Sequence, residues 1–389
     1  MKTKEKRKHL IYDKKQQVNS QKDKCLNILL GPSSLESREE LYLNFLSQDL
    51  KNLKNYFNKD IPDNKETIKH LIIAEHQATS YKKIMKLINS SKIPQDKIYN
   101  VSYDKPYLFK VNMLSGTLND VFHNIHSILT EIANISKSSW DISFAKNLKQ
   151  HIYLLKLHNP EKVPTLHDLL NMYEDTKYML SLYTQLKKRI IKLKERVEKN
   201  CATKQELFEY NLSIETKEWF EEYSITMCTG EDPVVITIRS ALHALLKDPI
   251  IYNLLFQSES EQLEHFIKHG GVLVINTGNT SSAMSTLVGK CILLRLQQEI
   301  LSIKEAPSEG ISLFIDELQD YITRSTIELL EQAPCYGVSI TANTSSFTTL
   351  TEAYGYEFSY AMFTAFHNFY LCEELSEDEN EILDKCISV

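Results

Sequence analysis

Ile311-Ser-Leu-Phe-Ile-Asp-Glu-Leu-Gln-Asp320 decides the fold. Five mostly apolar residues are followed at once by two adjacent carboxylates, Asp316 and Glu317. A run this short and rich in β-formers predicts a strand buried on both faces, as in a parallel sheet. The two acids then fall at the carboxyl end of the strand, where open α/β sheets place their ligands.

Outward from that stretch, the chain alternates strands with helical patterns. Leu26–Leu30 predicts a strand running into a turn at Gly31-Pro32, and Glu36 to Leu50 has helical spacing. His70–Glu75 and Lys97–Tyr103 predict two more strands around a helix at Ser80–Ile93. Val272–Asn276 and Val338–Ala342 predict two strands on either side of the Asp316 strand, with helices between. This rhythm predicts an α/β fold with a doubly wound, mostly parallel sheet. From about Leu114 to Thr229 strand patterns vanish and helical periodicity dominates, so an all-helical insertion is expected. The expected divisions are a basic disordered arm at 1–24, the first part of the α/β domain at 25–113, the insertion at 114–232, and the second part at 233–389.

An Asp-Glu pair at the end of a buried strand matches the Walker B element of nucleotide hydrolases. There the first acid helps hold Mg²⁺ and the second orients the attacking water. The matching phosphate loop would lie between the Leu26–Leu30 strand and the helix after it. A working loop needs glycines for backbone N–H groups, a Lys for the β- and γ-phosphates and a Ser/Thr for Mg²⁺. Here Gly31 is present, but Pro32 removes a donor. Ser33, Ser34, Ser37 and Arg38 are the polar side chains left to meet a phosphate, while Glu36, Glu39 and Glu40 repel one.

Composition bounds the rest. The 389 residues are 42% hydrophobic and 25% charged, with a net charge of −6, which does not describe a general nucleic-acid binder. Residues 1–24 alone carry nine Lys/Arg against three acids. The seven cysteines show no Cys-x-x-Cys and no metal-ligand spacing, which predicts reduced thiols and a cytoplasmic protein. No apolar run is long enough to span a membrane. His123 and His126, three apart on one helical pattern, lack a third metal ligand. The basic Lys187–Lys194 cluster reads as a solvated helix face.

The order of parts resembles the FtsK/HerA class of DNA-pumping motor ATPases, and within it the coupling proteins of conjugative type IV secretion. The resemblance rests on the Gly31-Pro32 strand-loop-helix, the helical insertion, and four runs in order. These are Ala241–Pro249, Gly270–Asn276 leading to Leu287–Gln297, Leu313–Asp320, and Tyr336–Asn343. It implies a RecA-like fold, ATP and Mg²⁺ as cofactors with Asp316 as the metal ligand, DNA or secretion subunits as partners, and assembly into a homo- or hetero-oligomeric ring. It also implies that the strands bearing Gly31 and Asp316 lie side by side at one crevice. The departures matter equally. The family's Gly-Lys-Ser/Thr falls on Glu36-Ser37-Arg38, and its sensor glutamine is replaced by Asn343, Thr344 or Ser345. The expected function is that of a degenerate coupling-protein-like homologue that binds partners in a conjugation or mobile-element system. An active translocase with an unorthodox phosphate loop and an unrelated α/β interaction protein are the alternatives.

Overall fold

The structure is a computed structural model that describes residues 10–13, 26–32, 36–59, 67–102, 109–132, 139–229, 232–258, 260–278, 283–302, 309–323, 325–372 and 376–387. Ser33 and Ser34, and most of the 1–24 arm, lie outside the described residues.

The chain divides into two compact units. The first, residues 1–108 and 261–389, is built on a sheet. Its strands are β1 (Leu10–Asp13), β2 (Leu26–Leu30), β3 (Ile68–Glu75), β4 (Ile98–Ser102), β5 (Gly271–Asn276), β6 (Gly310–Ile315), β7 (Val338–Thr344) and β8 (Asn368–Leu371). The spatial order is β1-β8-β2-β7-β6-β3-β5-β4. Every pairing is parallel except β1 with β8, so the expected mostly parallel sheet is what forms. The β1 pairing corrects one expectation, since four residues of the arm read as disordered form an edge strand against Asn368–Leu371.

The strand of the opening stretch, β6, is central, between β7 and β3. It does not lie beside β2, as the resemblance implied. β7 separates them and pairs with both, from Ile311↔Val338 on one side and Leu26↔Ile340 on the other. An apolar run specifies that a strand is buried, and leaves open which neighbour it takes. The separation is roughly 10 Å, two strand spacings, so contact between the β2 loop and Asp316 has to come from a side chain that spans it.

Helices cover both faces. In the first unit they begin with α1 (Glu36–Asn58) and α2 (Ala78–Ser90). The intervening second unit contains α3 (Leu118–Ile132), α4 (Ser139–Leu157), α5 (Leu166–Glu174), α6 (Thr176–Glu198), α7 (Lys204–Thr229), α8 (Pro233–Leu246) and α9 (Pro249–Leu255). The first unit resumes with α10 (Glu261–His269), α11 (Ala283–Leu301), α12 (Thr326–Gln332), α13 (Phe347–Tyr354), α14 (Tyr356–Ala365) and α15 (Glu377–Ile387). On one face α1 lays Tyr42, Leu46, Leu50 and Leu53 against Leu71, Ile73 and Phe314. Each such side chain contributes about 1.5–3 kcal/mol on burial. On the other face Leu293, Leu296 and Ile300 of α11 meet Ile72, Leu313 and Ile315. The alternation along β3 and β6 is the period-2 rule of a strand buried on both sides.

The second unit, residues 109–260, is helical among its described residues. It is longer than the expected 114–232. Helix α8 buries Val235, Ile238, Leu242 and Leu245 within this unit, against α3, α4 and α5. The unit closes on itself where the chain enters and leaves: Val111 N–H donates to the Leu254 carbonyl (2.8 Å) and Ser260 N–H to the Lys110 carbonyl (3.2 Å). Thr165 and Asp168 form a capping box at the start of α5. At the centre, fully buried His151 bonds the Tyr173 hydroxyl (2.8 Å) and packs edge-on against Trp219. Burial lowers the His151 pKa to about 3.

Candidate functional site

Strand register builds the site. Ala74, Ile315 and Ala342 are aligned across β3, β6 and β7. The residues one step further, Glu75, Asp316 and Asn343, therefore form a row at the carboxyl end of three adjacent strands. Ile73 and Phe314, two residues earlier, face α1. Period-2 alternation points Glu75 and Asp316 to the same face.

Helix α1 supplies the opposing surface. Its buried stripe runs Arg38, Tyr42, Leu46, Leu50 and Leu53, at helical spacing, so Arg38 is the uppermost member of an otherwise apolar face. Arg38 is 2% exposed, and its guanidinium crosses the interval that β7 leaves between β2 and β6. It donates to the Gly31 carbonyl (2.8 Å), to Glu317 Oε1 (2.7 Å) and, at the limit of hydrogen bonding, to Asp316 Oδ1 (3.5 Å).

Further donors meet the same pair of acids. Glu317 Oε2 accepts from Gln319 Nε2 (3.0 Å) and from the Ser345 hydroxyl (3.3 Å). Asp316 Oδ1 accepts from Asn343 Nδ2 (3.0 Å). The Thr344 hydroxyl donates to Gln319 Oε1 (3.3 Å), and the Thr344 carbonyl accepts from Gly31 N–H (3.2 Å). Glu317 itself sits at φ 50°, ψ 72°, a left-handed conformation that costs a non-glycine residue about 1–3 kcal/mol. Three side-chain contacts on its carboxylate hold it there.

Electrostatics follow from the crowding of carboxyls. Burial, reinforced by the charge of Asp316 and by carboxyl–carboxyl contact with it, pushes Glu75 well above the usual carboxylate range. Burial and then the Glu317 charge raise Asp316, against the pull of its contact with Glu75 and of Arg38 and Asn343. Asp320, near His76 Nδ1 (3.6 Å), is raised chiefly by burial.

These contacts decide how an ATP–Mg²⁺ group would fit. The carboxylate that would orient water, Glu317, has both oxygens bonded to protein donors. The Asp316 oxygen facing the β2 loop is taken by Arg38 and Asn343. A phosphate loop turns N–H groups inward, whereas Gly31 turns its carbonyl toward Arg38. The described residues do not fit a nucleotide-bound metal. Among them, no group of three or more His, Cys, Asp or Glu is placed to hold an ion.

Of the residues singled out from the sequence, Gly31, Arg38, Asp316, Glu317, Asn343, Thr344 and Ser345 are joined by these bonds. Ser37 lies in the first turn of α1, and Pro32 is half-buried beside Gly31. Glu75, Gln319 and Tyr42 were missed. Glu75 carries the same signal as Asp316, an apolar strand ending in an acid. Arg38 was legible as a cation on the apolar stripe of α1, a position that demands a buried counter-charge.

The fold is thus a RecA-like doubly wound, mostly parallel α/β sheet. The structure is similar to the bacterial conjugative coupling protein TrwBdeltaN70. In its trigonal form in complex with sulphate the TM-score is 0.50 at 13% identity, over 89% of this chain and 70% of that one. In its unbound monoclinic form the TM-score is 0.49 at 13% identity, over 88% of this chain and 66% of that one. A third match is the plasmid coupling protein TrwB in complex with ADP and Mg²⁺, with a TM-score of 0.44 at 14% identity, over 83% of this chain and 76% of that one. This chain thus spans about two thirds of the length of the unbound monoclinic form. No family model and no curated protein matches the sequence.

Proposed function

We propose that this chain is a coupling-protein-like homologue that has lost ATP hydrolysis and serves as a partner-binding component of a conjugation or mobile-element DNA-transfer system. The observation that carries the loss of hydrolysis is the buried Arg38–Glu317/Asp316 cluster. In this reading Arg38 is a permanent counter-ion where a hydrolase keeps its phosphate-loop Lys and Mg²⁺. Freeing Glu317 means breaking a buried ion pair, a cost of about 3–5 kcal/mol before any chemistry begins. Without a Lys or a metal to repay it, turnover is suppressed by roughly two to four orders of magnitude.

The partner-binding half of the reading draws on the coupling-protein fold and on the intact helical unit. DNA or other secretion subunits are its partners, in a homo- or hetero-oligomeric ring, on the cytoplasmic side. No described helix is long and apolar enough to cross a membrane.

The test is hydrolysis by the purified full chain at saturating ATP and Mg²⁺, with and without DNA. No phosphate release above the blank is expected, and Glu317→Gln should be indistinguishable from wild type. Turnover that Glu317→Gln abolishes would overturn the loss of hydrolysis and restore the reading of an active translocase. Affinity capture from the native cell, expected to recover secretion or conjugation subunits, tests the partner role.

A further inference from the structure

Helix α10 places His265 and His269 four residues apart on its exposed face. Residues at that spacing stand one above the other, with Cβ atoms about 5–6 Å apart. The two rings lie side by side, with centroids 4.2 Å apart and planes inclined by 33°. The inward face of the helix is fixed, because Leu263 and Phe266 are buried and Phe266 packs edge-on against the ring of Tyr99 (5.4 Å).

The Nδ1 atoms of both rings are held. His269 Nδ1 lies 3.1 Å from the His265 carbonyl, which can only accept. His269 therefore carries its proton on Nδ1, and its Nε2 keeps a bare lone pair. His265 Nδ1 bonds the hydroxyl of Tyr99 on β4, and donation to that oxygen bares its Nε2 in the same way. Metal-bound imidazoles are held like this, by a partner on the other ring nitrogen that fixes tautomer and orientation. Desolvation and the neighbouring charges of His269 and Lys97 hold the His265 pKa below the ordinary imidazole value, so the neutral ring prevails at pH 7. His126 shows the contrast, since its ring lies against Phe122 and Phe144 with Nε2 buried.

We propose that His265 and His269 form a bidentate surface site for a late first-row divalent metal ion such as Zn²⁺, held by the two Nε2 atoms. Zn–N bonds of about 2.0–2.1 Å put two nitrogens of a tetrahedral site roughly 3.3 Å apart. Rings already 4.2 Å apart reach that separation by small rotations about χ2. Imidazole suits Zn²⁺, Cu²⁺ and Ni²⁺, whereas Mg²⁺ takes oxygen. Both side chains are exposed, so water fills the remaining positions. Asp96 offsets part of the charge that Lys97 and Lys268 bring near the pair. The site uses none of the Asp316 cluster, so it stands whether or not the protein hydrolyses ATP.

Zn²⁺ is the probe, titrated by isothermal calorimetry into the full chain carrying Cys201→Ser and Cys335→Ser. These substitutions remove the exposed thiols among the described residues. Saturable uptake with a Kd below about 100 μM is expected, and Mg²⁺ at about 10 mM should not displace it. His265→Ala and His269→Ala should each weaken uptake at least about tenfold, because one imidazole remains where two chelated. Both positions are exposed, so both variants should keep the far-UV dichroism of the parent. Weaker uptake by the parent, or none, would overturn the proposal, and so would displacement by Mg²⁺. A smaller loss in either folded variant would overturn it too, because the heat would then belong to other side chains or to imidazoles acting independently.

Discussion

Replacing Arg38 with Ala tests the reasoning at its centre. Arg38 and its two carboxylate partners are each less than a tenth exposed, so solvent screening gives little relief. The substitution removes the donor to Gly31 O, Glu317 Oε1 and Asp316 Oδ1 together. Breaking a buried pair by deleting one partner costs about 3–5 kcal/mol, because the surviving charges are left uncompensated. For a unit of this size each kcal/mol lowers Tm by about 2–4 °C, so a drop of roughly 6–20 °C is expected. The assay needs care over its probe. Both tryptophans, Trp140 and Trp219, belong to the helical unit and would report on the wrong half of the chain. Differential scanning calorimetry or tyrosine-weighted near-UV dichroism suits the sheet unit. Adding Asp316→Asn and Glu317→Gln to Arg38→Ala should recover part of the loss, since the orphaned charges are then gone. A loss below about 1 kcal/mol, the range of exposed pairs, would show that the cluster is hydrated and does not act as a buried lock.

Two further outcomes follow from packing and burial. His151 has its pKa lowered from 6.5 to about 3, so the folded state holds it neutral while the unfolded chain protonates it. Its contribution is complete above about pH 6.5 and is lost as pH falls toward 3. Trp219 fluorescence during urea unfolding at pH 7, 5 and 4 should show the helical unit weakening stepwise, and His151→Gln should flatten that dependence. Gly289→Ala puts a Cβ 2.4 Å from Tyr321 Cε1 and 3.2 Å from Thr277 Cγ2. Tyr321 is fully buried and its hydroxyl is tied to Thr277 (2.7 Å), so the ring has no room to yield. The helix-propensity gain of about 1 kcal/mol is outweighed, and a net loss of about 1–2 kcal/mol by calorimetry is expected. A more stable variant would contradict the packing of α11 on Tyr321.

The alternation of short apolar runs with helical patterns determined the parallel sheet, because burial on both faces leaves β-formers with no polar alternation. Periodicity also determined the helical unit. Its outer boundary escaped notice because α8 and α9 look the same in sequence whether they pack on helices or on a sheet. The Asp316-Glu317 pair and the absence of a phosphate-loop Lys were plain in the residues themselves. Which strand neighbours which was not. The chain carries no local record of pairing order, and so β7 came to lie between β2 and β6. Only tertiary packing brought Arg38, 278 residues before Asp316, into the space where sequence reasoning expected phosphate. The same packing set Glu75, Asp316 and Asn343 in one row, since register across three strands places atoms that no local pattern relates. The residue types determined that a charged cluster would end the central strand. What that cluster holds was decided by the helix laid across it.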